Sequence, residues 1–81
     1  MNLHPSDWVL VSYDEAKFPD EVQMIVNEDV KVFVMVPSGS SFKWPSSEDA
    51  VFYTMHNVIR KLNPPTVKSA RGSLFAFDEK W

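Results

Sequence analysis

The chain predicts a mostly β domain: a small five-stranded barrel with a short helical turn near residues 55–61 and an apolar C-terminal tail. Three observations lead there. Short runs rich in β-branched and aromatic residues recur along the chain. Clusters of Asn, Asp, Pro, Ser and Gly separate them. Finally, 81 residues leave room for one core only, and an apolar share of 44% is enough to build it.

The elements follow in order. Residues 1–6 read as a flexible lead-in, 7–63 as the barrel and 64–81 as a tail that packs on the barrel or on a partner. Trp8–Tyr13 (WVLVSY) is the first strand. Asp14–Lys17 is a turn without glycine, which predicts a longer loop rather than a two-residue primed turn. The second strand runs from about Phe18 to Val26, with Pro19 near its start, where a missing N–H is tolerated. Asn27, Glu28 and Asp29 punctuate the next turn. In Val30–Val36 the valines 30, 32, 34 and 36 line one face and Lys31, Phe33 and Met35 the other, the pattern of a central strand covered on both sides. After Pro37-Ser38-Gly39-Ser40, Phe42 and Trp44 share one face of a short strand that Pro45 ends.

Residues 49–62 allow two readings. Val51, Met55, Val58, Ile59 and Leu62 fit one helix, with Ser46 and Asp49 as caps. The β-rich VFYT favours instead a strand at Val51–Tyr53, with Thr54 capping a short helix through Lys61. Asn63-Pro64-Pro65 stops either. Leu74, Phe75, Phe77 and Trp81 make the tail too apolar for a simple linker.

Composition narrows the function. Cysteine is absent, which removes disulfides and thiolate metal sites and fits an intracellular location, nucleus or cytoplasm. His4, Pro5 and Asp7 interrupt the only stretch that could serve as a signal peptide, and no apolar run reaches the ~20 residues of a membrane span. The net charge is −3 and unevenly spread. Residues 1–29 carry seven acids against Lys17 alone, whereas residues 30–81 carry four acids against seven bases. An acidic first half favours a cationic partner there and disfavours sequence-blind nucleic-acid binding.

Catalysis finds no support. His4 and His56 are far apart, no nucleophile or carboxylate stands at a useful spacing, and no metal or cofactor site is recognisable. The serine-rich PSGSS lacks the Lys-Ser/Thr context of a phosphate loop. The distinctive feature is the first hairpin, which brings Tyr13 and Phe18 to its mouth amid Asp14, Glu15, Asp20 and Glu21. Exposed rings framed by carboxylates suit a cationic or methylated ligand better than a reaction. Their plainer role is cross-strand packing and a solvated loop. Trp8 reads as a core cap, Phe33 and Met35 as packing residues, and Trp44 equally as core lid or contact surface.

Together, WVLVSY, the acidic turn, KFPDEV, VKVFVMV and VFYTMHNVIRKL resemble, over about residues 7–62, a Tudor domain, the SH3-like small barrel of chromatin and RNA-granule proteins. The resemblance implies a non-catalytic adaptor that recognises a short peptide, with methylated Arg or Lys held in an aromatic cage. Tyr13 and Phe18 would be its first walls, and Trp44 or Phe42 could close it. Met35 and the Ser38-Gly39 turn stand where further walls are expected, a departure from the family pattern. Lys43-Trp44-Pro45 and Arg71-Gly72-Ser73-Leu74-Phe75 are similar to motifs in uncharacterised C-terminal domains of animal proteins, which imply no function. The alternative is an assembly domain that dimerises or docks through Leu74, Phe75, Phe77 and Trp81. A weaker third reading places nucleic acid on Lys61, Lys68, Arg71 and Phe75.

Overall fold

In the computed structural model, residues 2–47, 49–68 and 74–81 are described. They form two antiparallel sheets. The larger has five strands in the order β6-β3-β2-β1-β7, built from β1 (Trp8–Tyr13), β2 (Ala16–Val26), β3 (Asp29–Val34), β6 (Ala50–Thr54) and β7 (Val58–Leu62). The smaller has the order β4-β5-β9-β8, from β4 (Val36–Ser38), β5 (Ser41–Lys43), β8 (Thr66–Val67) and β9 (Phe75–Ala76). No helix among the described residues is long and apolar enough to cross a membrane.

Valine alternation sets the core. Val9, Val11, Val22, Val30, Val32, Val34 and Val58 turn to one side of the five-stranded sheet, where Leu3, Phe18, Val51, Tyr53 and Met55 pack against them. The registers keep these residues on a common face: Val22 opposite Val32, Val32 opposite Val51 and Val11 opposite Val58. The other face carries a band of rings. Trp8 and Phe33 meet Trp44 (centroids 5.8 and 6.4 Å away), Trp8 also meets Phe77, and Phe42 stacks with Phe77 and Trp81.

The structure corrects the expected hairpin turn. Asp14 and Glu15 alone connect β1 to β2, with Tyr13 paired to Ala16, and both take positive φ (50° and 65°). Asp tolerates this region better than most residues, and closing a ladder of six residue pairs outweighs the strain at Glu15. Pro19 lies well inside β2, buried opposite Leu10. Its missing N–H costs little because the β2–β3 ladder ends at the next residue, in the pair Asp20–Val34.

The expected third strand breaks at Met35, so Val36 belongs to the second sheet. The helical turn expected near 55–61 is a single 3-10 turn, Met55–Asn57. Residues 58–62 are a strand because β1 offers an open edge to pair with, and Asn57 fastens the turn there by donating from Nδ2 to the Ser12 carbonyl (3.0 Å). Thr54 occupies the N-cap position but makes no capping bond to the backbone.

The described part of the tail supplies two strands. Phe75 pairs with Phe42, and Lys68 N–H donates to the Leu74 carbonyl at 2.8 Å. Arg60 and Glu79 form an ion pair, and Glu79 also accepts from the Asn63 N–H (2.6 Å). The Asn63 amide first, then Arg60, holds the Glu79 carboxyl below its ordinary range.

Candidate functional site

Tight turning at Asp14-Glu15 sets the position of Tyr13. Its side chain shares a face with Val9 and Val11, beyond the valine core, and is 58% exposed. Phe18 sits on the same face of β2, opposite Val11 and diagonal to Tyr13, and is half-buried. The ring facing Tyr13 is Tyr53, on β6, with centroids 6.0 Å apart at 63°. Tyr13, Phe18, Tyr53, Val51 and Met35 line a surface cavity of about 350 Å³, with Asp49 at its rim.

Asp49 is held by backbone pairing: its carbonyl accepts from the Val34 N–H at 3.0 Å, one step past the last Phe33–Ala50 pair. Sequence reasoning missed Tyr53 and Asp49 as site residues. The β-rich VFYT put Tyr53 on a strand, but only the pairing of β6 with β3 brings that strand beside the first hairpin.

The four acids of the hairpin fall in three different places. Asp14 and Glu15 stand exposed at its tip. Glu21 turns to the aromatic face, opposite Trp8 and Phe33. Asp20, expected as part of a solvated collar, is fully buried on the valine face, with Val9 and Val34 opposite it. Two-residue alternation along β2 decides this: Phe18, Asp20 and Val22 must point the same way. Neither carboxyl oxygen of Asp20 has a hydrogen-bond partner. Burial, reinforced by the charge of Asp49, pushes its pKa up to about 8, so the group is chiefly neutral at pH 7. Burial likewise raises the Tyr53 hydroxyl above its ordinary pKa, with Asp20, Tyr13 and Asp49 adding to the effect.

Trp44 and Phe42 do not close this cavity. Both lie in the ring cluster on the opposite side of the five-stranded sheet, where Trp44 contacts Trp8, Phe33 and Phe75. The tail residues Phe75, Phe77 and Trp81 pack into the same cluster, Phe75 and Phe77 half-buried and Trp81 still exposed. Leu74 precedes β9 and is half-buried. Of the residues considered for nucleic acid, Lys61 pairs with Asp7 (3.3 Å) and Phe75 packs on Trp44; Arg71, with Gly72 and Ser73 of the same motif, lies outside the described residues.

The cavity is therefore lined by three aromatic rings, a thioether and the Asp49 carboxylate, with the buried Asp20 close enough to act on Tyr53. Such a lining can hold a poorly hydrated cation and contains no nucleophile–base pair. Among the described residues no group of three His, Asp or Glu side chains is placed to bind a metal. Comparison with family models, curated proteins and solved structures finds no match.

Proposed function

We propose that the chain is an SH3-like, Tudor-like module that binds a short peptide through a methylated lysine or arginine side chain and performs no chemistry of its own. The fold reading is supported by an antiparallel meander, β1-β2-β3-β6, after which a 3-10 turn returns the last strand to the free edge of β1. The observation that carries the ligand reading is the cavity lined by Tyr13, Phe18, Tyr53 and Asp49, with the unpartnered Asp20 on the same face of β2 as Phe18.

An unsatisfied carboxyl in a valine core opposes folding, so its presence calls for a reason. A cation seated among the rings supplies one. Its charge would lower the pKa of the nearby Asp20 carboxyl, and the two attract through a medium less polar than water. Methylation strips water from the ammonium or guanidinium, so ring faces compete well for it, with each contact contributing about 0.5–2 kcal/mol. Of the groups near Asp20, the charge of Asp49 adds to this pull, while the Tyr53 hydroxyl, its pKa raised, stays neutral near pH 7.

The test is a resonance-by-resonance titration with peptides carrying unmodified, mono-, di- and trimethylated lysine, and the arginine counterparts. Tyr13, Phe18, Tyr53 and Asp49 should shift together, with methylated peptides binding more tightly. Saturating shifts confined to other residues would reject the site. The same binding should strengthen between pH 6 and pH 9 as Asp20 ionises, and this dependence should vanish in Asp20→Asn.

A further inference from the structure

We infer that the cleft beside Trp44 is a second site, which takes the guanidinium of an unmodified arginine from a protein segment. This cavity, about 370 Å³, lies on the opposite face of the sheet and is lined by Glu21, Phe33, Trp44, Pro45 and Asp49. Glu21 is one of its two carboxylates. The strand registers set it between Trp8 and Phe33, and Trp44 packs against both of those rings.

This half-buried carboxylate has no ion-pair partner among the described residues; its polar contact is the Gln23 side-chain amide, which donates at 3.3 Å. Lys31, on the same face of β3 as Phe33, holds its ammonium over the Phe52 ring (6.0 Å from the centroid). A carboxylate beside half-buried rings, with no ion pair among the described residues, is complementary to a cation that is itself flat and weakly hydrated. Guanidinium fits that description: its face stacks on an indole while its edge donates to carboxylates. Ammonium is compact and strongly hydrated, and gains less from the same lining.

Asp49 lines this cleft and the tyrosine cavity alike, so the two sites meet at one residue. A segment that turned around the sheet edge at Asp49 would carry an arginine at Trp44 and a methylated cation at Tyr13. That bivalent form rests on the proposed function; the arginine site does not.

The experiment titrates the full chain with capped Gly-Arg-Gly, Gly-Lys-Gly and Gly-Gln-Gly peptides and follows the Trp44 indole N–H and the Glu21 side chain by NMR. The arginine peptide should shift both resonances and bind at least about fivefold more tightly than the lysine peptide, a difference of about 1 kcal/mol. Glu21→Gln, which leaves the rings in place, should weaken it about tenfold, whereas Tyr13→Ala should leave it unchanged. Equal response to arginine and lysine, or an unmoved Trp44 indole at saturating peptide, would overturn the proposal. A tyrosine cavity that stays silent toward a methyllysine peptide as well, while arginine shifts Trp44, would retain the arginine site and reject the proposed function. A peptide carrying both arginine and methyllysine should then exceed either single ligand by tenfold or more if one segment spans the two sites.

Discussion

The two aromatic cavities that meet at Asp49 treat their carboxyl groups in opposite ways. At Trp44 the half-buried Glu21 lines the cavity, and the rings around it double as the seam between the two sheets. At Tyr13 the carboxyl of Asp20 is sealed below the surface, and the most exposed ring is anchored by one neighbour. One cavity is thus built into the structure and presents its charge openly. The other is peripheral to the fold, and its buried acid ionises only at a cost. Stability and binding should accordingly separate between them.

The largest expected effect sharpens this contrast at Asp20. Its folded pKa is raised from 3.8 to about 8, so the folded chain binds a proton that the unfolded chain releases. Stability is therefore highest below pH 4, as far as this group decides it, and declines as pH rises toward 8. It levels off above that. The full decline is on the order of 5 kcal/mol, comparable with the total stability of roughly 4–12 kcal/mol for a chain of this length. Urea unfolding from pH 5 to pH 9 should show the fall in the native chain and little of it in Asp20→Asn; a flat native profile would remove the buried acid from the account.

Trp44→Ala comes next. Three ring contacts disappear between the sheets, and for a half-buried indole the loss should be about 2–3 kcal/mol, below the range for a fully buried one. Denaturant midpoints measure it. By comparison, Tyr13→Ala should cost less than ~1 kcal/mol of stability, yet reduce methyllysine-peptide affinity about tenfold, in line with one lost cation–π contact. If Tyr13→Ala unfolds the domain while Trp44→Ala does not, the assignment of structural and binding roles is reversed. The smallest effect lies at the hairpin tip. Glu15 holds φ at 65° without the freedom of glycine, and Glu15→Gly should raise stability by about 1 kcal/mol. Thermal unfolding would detect the gain, and methyl-peptide affinity should change little because Glu15 does not line the cavity.

Much of the strand plan was legible in the residues. Alternating valines announced β3, and VFYT announced β6. Boundaries failed where pairing outweighed composition. Residues 58–62 have helical spacing but are held as a strand by β1, and Met35 ends a run of valines that propensity alone would continue. At the site, Tyr13 and Phe18 stood out because an aromatic on each side of an acidic turn is a local signal. Tyr53 and Asp49 did not, because nothing near them in the chain says which strand they will face. Trp44 was legible as a ring of uncertain use, and its distance from Tyr13 was not.

By itself the sequence determined a single cysteine-free β domain, an acidic first half and a first hairpin displaying rings, since period-two alternation, turn chemistry and charge are all local. Only the tertiary structure decided that Tyr53 and Asp49 join Tyr13, that Trp44 belongs to another cavity, and that Asp20 lies in the core while Glu21 does not. The physical reason is the pleat: one residue's step along β2 reverses the face, and the strands packed over each face turn that step into burial or exposure.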